Sequence, residues 1–374
     1  MVVSNVKKVL LVLLVVWIGT LSYIWLPGIV PDFLHLRNKA AADEKDARLK
    51  DALGKFLNLG IGNASLEHAS KGTEEAVHVV IASDSNTLGG MIALINSIVS
   101  NTKSLVFFHL ITDKASSEHL KTWLMKSKLQ SINYEIKEFP VEWVEGKIKV
   151  RGGREELANP LNYARYYLPK LFPNIEGRVV YIDDDCIVQG DVKHLYDMKM
   201  HPGTLASFSE DCMGVNKRIT LLQNVYADFF DLKNKHFMEL NIKPTACSFN
   251  TGVFVTNLTD WRKHNITHQL EHWLELNTKE ELYGNERGGG GSQPPMMLVF
   301  YKKYTPMDQL WHVHFLGWNV RRIYGKQYIK SAKLLHWNGR SKPWGRNAAF
   351  QDSWDRYFLP DPTKQFQPVR KGIL

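Results

Sequence analysis

The run V-V-Y-I-D-D-D-C-I-V-Q-G-D occupies residues 179–191. Four apolar, β-prone residues lead into three consecutive aspartates, and Cys186, Ile187 and Val188 continue behind them. A run that is apolar on both faces is the pattern of a buried strand. Three carboxylates at the end of such a strand repel one another, and burial penalises each charge. A divalent cation with oxygen ligands offsets both costs. Asp183 and Asp185 stand at i and i+2, so on an extended backbone they point to one side and Asp184 to the other. The spacing therefore predicts a cation shared by Asp183 and Asp185, with positions left for a phosphate. The plainer alternative is a solvated acidic turn.

Strand-like and helix-like segments alternate upstream. Residues 78–82 read as a buried strand, followed by the polar loop Ser83-Asp84-Ser85-Asn86. Residues 89–100 read as a helix, 105–112 as a strand, 117–129 as a helix and 133–139 as a strand. That order predicts an α/β domain with a mainly parallel sheet. Ligands of such sheets sit at the carboxyl ends of the strands. Asp84 and the aspartate cluster both fall at such ends, which predicts one shared site. Taken alone, Asp84 and Asn86 also suit a turn or a helix N-cap. Residues 161–171 predict a helix with Arg165 among apolar neighbours. Arg165 is then either a structurally paired, snorkelling arginine or one that neutralises the acidic cluster or holds a nucleotide-sugar group. Further strands are expected at 205–208 and 252–255, and an amphipathic helix at 261–276. The glycine run at 288–291, ahead of Gln293, reads as a loop inside the domain.

A third constellation is K-L-L-H-W-N-G-R-S-K-P-W-G at residues 333–345. His336 follows an apolar run, and a histidine so placed is either a packed core residue or a ligand. As a ligand it completes a cation site built on two carboxylates. Gly339 permits close backbone approach to a phosphate, and Lys342 supplies charge to the same group.

The chain has 374 residues and a net charge of +9, which suits an anionic ligand such as a nucleotide. No zinc finger, aromatic-basic RNA signature or basic-leucine heptad accompanies that charge, so nucleic acid is not an expected partner. Lys7 and Lys8 precede an uncharged apolar run at residues 9–26 that Pro27 and Gly28 stop. This predicts a signal anchor: a cytosolic tail at 1–8, a membrane-spanning helix at 9–26, a stem at 27–75 and a lumenal domain at 76–374. A cleaved signal peptide is the alternative. Sequons at Asn63, Asn257 and Asn265 agree with a lumenal, glycosylated domain. There are three cysteines. Cys186 reads as a small core residue, and Cys212 and Cys247, each just outside a strand-like segment, are paired as a disulfide.

Together V-V-I-A-S-D (79–84), Y-A-R-Y-Y-L-P (163–169), the aspartate run, C-S-F-N-T-G-V-F-V (247–255) and L-H-W-N-G-R-S-K-P-W (335–344) resemble glycosyltransferase family 8, and within it the vertebrate glycosyltransferase 8 domain-containing proteins. The resemblance spans about residues 76–362. It implies a single nucleotide-binding domain of the GT-A type, Mn2+ held by a D-x-D motif (with Mg2+ as a substitute) and a UDP-sugar donor. It also implies a glycan or glycoconjugate acceptor and transfer with retention, while the anchor pattern and the sequons predict a type II protein of the Golgi membrane. Carried over residue by residue, it makes Asp183, Asp185 and His336 the metal ligands. It assigns Ala82, Asp84 and Asn86 to uridine, Arg165 and the Asp183–Asp184 pair to the donor, Asn250 to the donor sugar, and Gly339 and Lys342 to the diphosphate. Gln293 falls where the family often has a D-Q-D motif, but its neighbours here are Ser292 and Pro294, without the carboxylates that hold sugar hydroxyls. That departure leaves a non-catalytic UDP-sugar- or glycan-binding protein as the alternative. Glu210 and Asp211 are the candidates to orient the acceptor hydroxyl. A two-carboxylate glycosidase is the rival chemistry, and a homodimer is left open.

Overall fold

The computed structural model describes residues 76–150, 155–212, 224–284, 291–318 and 324–370. The tail, anchor and stem expected at residues 1–75, and with them Asn63, lie outside the described residues. Among the described residues, no helix is long and apolar enough to cross a membrane.

Seven strands make the central sheet: β1 (Val77–Ala82), β2 (Val106–Thr112), β3 (Asn133–Glu138), β4 (Arg178–Ile182), β6 (Ala206–Glu210), β7 (Phe249–Asn257) and β8 (Tyr304–Pro306). They lie in the order β3-β2-β1-β4-β7-β6-β8. The pairs β1–β2, β2–β3, β1–β4 and β6–β8 are parallel, while β7 runs antiparallel to both of its neighbours. The sheet is thus mixed and mainly parallel. A second, two-stranded sheet pairs β5 (Cys186–Val188) with β9 (Leu334–His336) in antiparallel register.

The apolar runs lack alternation because both faces of the main sheet are covered. Val79, Ile81, Val180 and Ile182 face one apolar cluster, and Val80, Ala82, Val179 and Tyr181 face the other. The first cluster is closed by helices α1 (Leu88–Asn101) and α2 (Lys114–Met125). The second is closed by α3 (Ile266–Glu280), α4 (Gln293–Phe300) and the 3-10 turn Pro160–Tyr166.

Two expected helices are broken. In place of one helix over 261–276 there are two, Leu258–Lys263 and α3, because Asn265 adopts a left-handed backbone with φ of 51°. In place of a helix over 161–171, the 3-10 turn Pro160–Tyr166 is followed by a single α-turn, Leu168–Leu171, that carries Pro169. The first of these is started by Asn159, whose side chain accepts from the Leu161 amide.

The pairing of β6 with β7 shifts register between Phe208, opposite Phe254, and Ser209, opposite Asn250. Thr251, Gly252 and Val253 are therefore passed over on the β6 side, a bulge of the kind found beside active sites.

Candidate active site

β4 stops at Ile182, and the chain leaves the main sheet through Asp183, Asp184 and Asp185 before entering β5 in the small sheet. This corrects the expectation of one continuous strand through the aspartates. The three carboxylates are parted by a turn between two sheets, not by the pleat of a single strand.

Each carboxylate has its own surroundings. The Asp183 amide donates to the Gly252 carbonyl at 2.7 Å, which ties the turn to β7. Asp183 Oδ1 accepts from Arg165 Nη2 at 2.7 Å. Arg165 is buried and also donates to the Asn162 and Thr251 carbonyls, while its guanidinium lies 4.6 Å from the centre of the Tyr181 ring. Desolvation alone would weaken its charge, but Asp183 reverses this and the guanidinium is held more firmly protonated than usual. Arg165 is thus the partner of the acidic cluster, not an exposed donor contact. Asp184 turns the other way, to the hydroxyls of Thr87 and Ser83 at the head of α1. Burial and then the neighbouring Asp185 push its carboxyl above the ordinary range.

Asp185 is buried between His336 and Lys342. Burial would raise its pKa, yet the Lys342 ammonium and His336 hold the carboxyl well below the usual range. Its Oδ2 accepts from Lys342 Nζ at 2.5 Å. Lys342, expected to act on phosphate alone, is therefore in direct contact with a candidate metal ligand.

The residues present fit a divalent cation. Asp185 is buried, and its Oδ1 lies 2.9 Å from His336 Nε2. A carboxylate oxygen and an unprotonated ring nitrogen at this separation are the kinds of donor that can share one cation. Atoms of Asp185, His336 and Cys186 lie within 4.8 Å of one another. Burial pushes the Cys186 thiol far up, so it offers a neutral S–H and not a thiolate. Asp183 is not among these atoms, but its Oδ2 approaches the His336 ring across Gly252. A Cβ on Gly252 would lie 2.6 Å from Asp183 Oδ2 and against the His336 ring, so only glycine lets the two approach.

Behind His336 stands a group that the sequence reading missed. His336 Nδ1 and His312 Nε2 are 2.8 Å apart. His314 reaches the His312 carbonyl with Nδ1 and Asp211 Oδ1 with Nε2, both at 2.9 Å. Asp211 Oδ2 accepts from the Ser248 hydroxyl. Asp211 is buried with both oxygens engaged, so it is not the orienter of an acceptor hydroxyl that its acidity suggested. Glu210 is half-buried and accepts from Tyr304 at 2.8 Å. The only sequence signal for His312 and His314 was H-V-H inside an apolar run, which reads equally as core.

A cavity of about 240 Å3 opens beyond the ends of β1 and β2, lined by Asp84, Asn86, Asp113, Phe139, Asn159 and Leu161. Asp84 is fixed there from two sides, by the Asn86 amide on Oδ1 at 2.8 Å and Asn159 Nδ2 on Oδ2 at 2.5 Å. Ala82 ends β1 just before it. Asn250 Oδ1 accepts from the Gly252 amide at 2.8 Å, next to Asp183. Gly339 has φ of +111°, and a Cβ there would lie 2.7 Å from the Gly317 carbonyl, so this turn requires glycine. Gln293 opens α4 and its amide turns back to Met297 Sδ at 3.8 Å. Its neighbours Ser292 and Pro294 are buried, and the Ser292 carbonyl accepts from Tyr166. The sequon residue Asn257 caps Leu258–Lys263, and Asn265 is exposed. Cys212 and Cys247 are joined by a disulfide, with Cα atoms 5.4 Å apart.

Comparison with known proteins agrees with this geometry. The profile of Glycosyl transferase family 8 matches residues 78–348. Glycosyltransferase 8 domain-containing protein 1 of Bos taurus is 44% identical over 306 residues, covering 81% of this chain and 82% of its own length. Glycosyltransferase 8 domain-containing protein 2 of Homo sapiens is 42% identical over 299 residues, covering 79% and 85%. Among solved structures, the galactosyltransferase LgtC in complex with donor and acceptor sugar analogs aligns with a TM-score of 0.57 at 16% identity, covering 76% of this chain and 98% of that one. That likeness fixes the GT-A-like architecture. A family profile spanning most of the described domain, together with relatives this similar over four-fifths of its length, places the chain in glycosyltransferase family 8.

Proposed function

We propose that this glycosyltransferase moves a hexosyl group from a UDP-sugar to a glycan or glycoconjugate acceptor, with retention and dependence on Mn2+, for which Mg2+ can substitute. The observation that carries the reading is the convergence of Asp183, Asp185, His336 and Lys342, with the intervening Asp184 bonded to the Ser83–Thr87 turn that also holds the cavity-lining Asp84. The structure of LgtC with donor and acceptor sugar analogs supports a sugar donor on this architecture.

Asp183, Asp185 and His336 would hold the cation, and the cation supplies charge that offsets the diphosphate of the leaving nucleotide. The chain's own residues do the rest. Arg165 fixes Asp183, so that carboxylate is ordered before any ligand arrives. Lys342 brings a positive charge to the same corner and is about a third exposed, able to turn from Asp185 to a phosphate oxygen. The Gly339 turn brings backbone close to that position. Asn159 holds Asp84 in place for a nucleoside hydroxyl or base edge. Beside Gly252 stand Asp183, His336 and the Asn250 amide, while Asp211 is buried and fully bonded. We read retention as attack by the acceptor hydroxyl from the leaving-group side, with no covalent intermediate on the enzyme.

The test is a panel of UDP-sugars with Mn2+ or with chelator, scored for binding, hydrolysis and transfer. One UDP-sugar turned over only with metal, and lost in Asp183→Ala and Asp185→Ala but less affected in Asp184→Ala, supports the reading. Equal binding with and without chelator rejects the metal. The buried Ser292 and Pro294, standing where carboxylates are usual, favour a second reading as a UDP-sugar-binding protein without turnover. Tight, metal-dependent binding with no hydrolysis or transfer of any donor would select it. We further propose a type II protein of the Golgi membrane. A lumenal domain shielded from protease in intact microsomes, with glycosidase-sensitive mobility, is the expected outcome.

A further inference from the structure

His312 stands one ring behind the cation ligand His336. The facing nitrogens, Nε2 of His312 and Nδ1 of His336, are 2.8 Å apart, and the ring planes differ by 15°. Two neutral imidazoles sharing one hydrogen bond hold one proton between the facing nitrogens, so one ring donates and the other accepts. Where that proton sits decides what the far side of His336 can do. With the proton on His336 Nδ1, a neutral ring keeps a lone pair on Nε2. With it on His312 Nε2, His336 carries its own proton on Nε2 and cannot ligate.

Three observations bear on the choice. His336 Nε2 lies 2.9 Å from Asp185 Oδ1, so this nitrogen faces the aspartates, and if it ligates a cation the ring proton must sit on Nδ1. The other nitrogen of His312, Nδ1, is buried without a partner. All the side-chain hydrogen bonding of His312 is thus directed at His336, and a buried polar group left half-satisfied is characteristic of functional sites. Finally, the backbone around His312 is held from both sides. The His336 amide donates to the Val313 carbonyl at 2.9 Å. His314 Nδ1 donates to the His312 carbonyl at 2.9 Å and is itself gripped by Asp211, which Ser248 holds.

We propose that His312 is a positioning residue for the cation: its Nε2 accepts the Nδ1 proton of His336 and so leaves the His336 Nε2 lone pair facing the aspartates. The inference rests on the metal reading given under Proposed function and adds to it a residue that touches neither metal nor donor. Second-layer partners of this kind orient ligating histidines and raise their basicity. Asp211, His314 and Ser248 then act one layer further out, by fixing the His312 backbone.

The test compares the parent with His312→Phe, which keeps a flat ring but cannot accept a proton, and with His312→Gln, whose Oε1 can. Mn2+ binding without nucleotide is followed by electron paramagnetic resonance on the full-length chain. His312→Phe is expected to weaken Mn2+ binding by about 10- to 100-fold, and His312→Gln to recover most of that loss. On the parent loaded with diamagnetic Mg2+, nitrogen-15 spectra of labelled histidine should place the His336 proton on Nδ1. His312→Phe binding Mn2+ like the parent, or His312→Gln failing as badly as His312→Phe, would overturn the proposal. So would a His336 proton found on Nε2 in the Mg2+-loaded parent, a measurement that stands even if the Phe variant does not fold. A parent that takes up no Mn2+ removes the metal reading itself, and this role with it.

Discussion

The Lys342 ammonium is hydrogen-bonded to Oδ2 of Asp185. Desolvation would lower the lysine pKa, but Asp185 outweighs it and holds the charge in place. A cation approaching Asp185 must compete with that ammonium. Lys342→Met should therefore bind Mn2+ more tightly in the absence of nucleotide, on the order of tenfold at low salt. The same variant should bind UDP more weakly. Paramagnetic resonance of Mn2+ with and without UDP separates the two effects. Unchanged Mn2+ affinity would place Lys342 outside the cation site.

Arg165 reaches Asp183 and two backbone carbonyls from a buried position. Arg165→Met leaves the carboxylate without its partner, and breaking a buried pair typically costs about 3–5 kcal/mol. Asp183 keeps some contact with solvent, with 23% of its side chain exposed, so the loss should fall at the low end. Arg165→Lys should recover little, because an ammonium cannot bond in three directions along one plane. Urea denaturation midpoints give the comparison.

Gly252→Ala tests the site while sparing the core. The added methyl would meet Asp183 Oδ2 and the His336 ring. Metal-dependent UDP binding should fall by more than tenfold while far-UV circular dichroism stays unchanged. An alanine variant with parental binding would show that the two ligands do not need to approach across Gly252.

His109 provides a pH signature remote from the site. It lies on β2 between His78 on β1 and Glu135 on β3, with the Phe172 ring 4.9 Å away. Burial dominates, overriding Glu135, and His109 is held down to about 4. In the window from about 6.5 down to 4 the unfolded chain binds a proton there that the native chain refuses. Stability should therefore be full above pH 6.5 and decline as pH falls through that window. His312, which burial also holds low, contributes in the same direction. His109→Gln should flatten the decline, leaving the share due to His312, in urea midpoints taken at pH 7 and pH 5. A slope equal to the parent's would show that His109 takes up its proton in the native state.

The regular framework was legible because its causes are local. Val79 to Ala82 and Val179 to Ile182 are continuous apolar runs, and the only way to bury both faces of such strands is between helices. The aspartates were legible as residues but not as geometry. Alternation along a strand holds only while the chain stays in one sheet, and the strand partner that draws Cys186 away, His336, lies far along the chain. His312 and His314 were missed because a histidine among Trp311, Val313 and Phe315 is indistinguishable from core until its partners are seen. Asp211 was misread for the opposite reason. An acidic residue at a strand end looks exposed, and only the fold brings Ser248 and His314 against it.

β7 is the strand that runs against both of its neighbours, and this has a kinetic consequence. The Asp183 amide is bonded to the Gly252 carbonyl, one residue beyond the last β4–β7 pair and within the stretch of β7 that β6 passes over. The Asp183 carboxylate is therefore positioned at the step that docks β7 against β4. A nascent chain that has not yet emitted residue 257 lacks the far wall of the site. The proposed site is complete only once His336 and Lys342 have also been made, so the donor binding proposed for it follows the synthesis of residue 342.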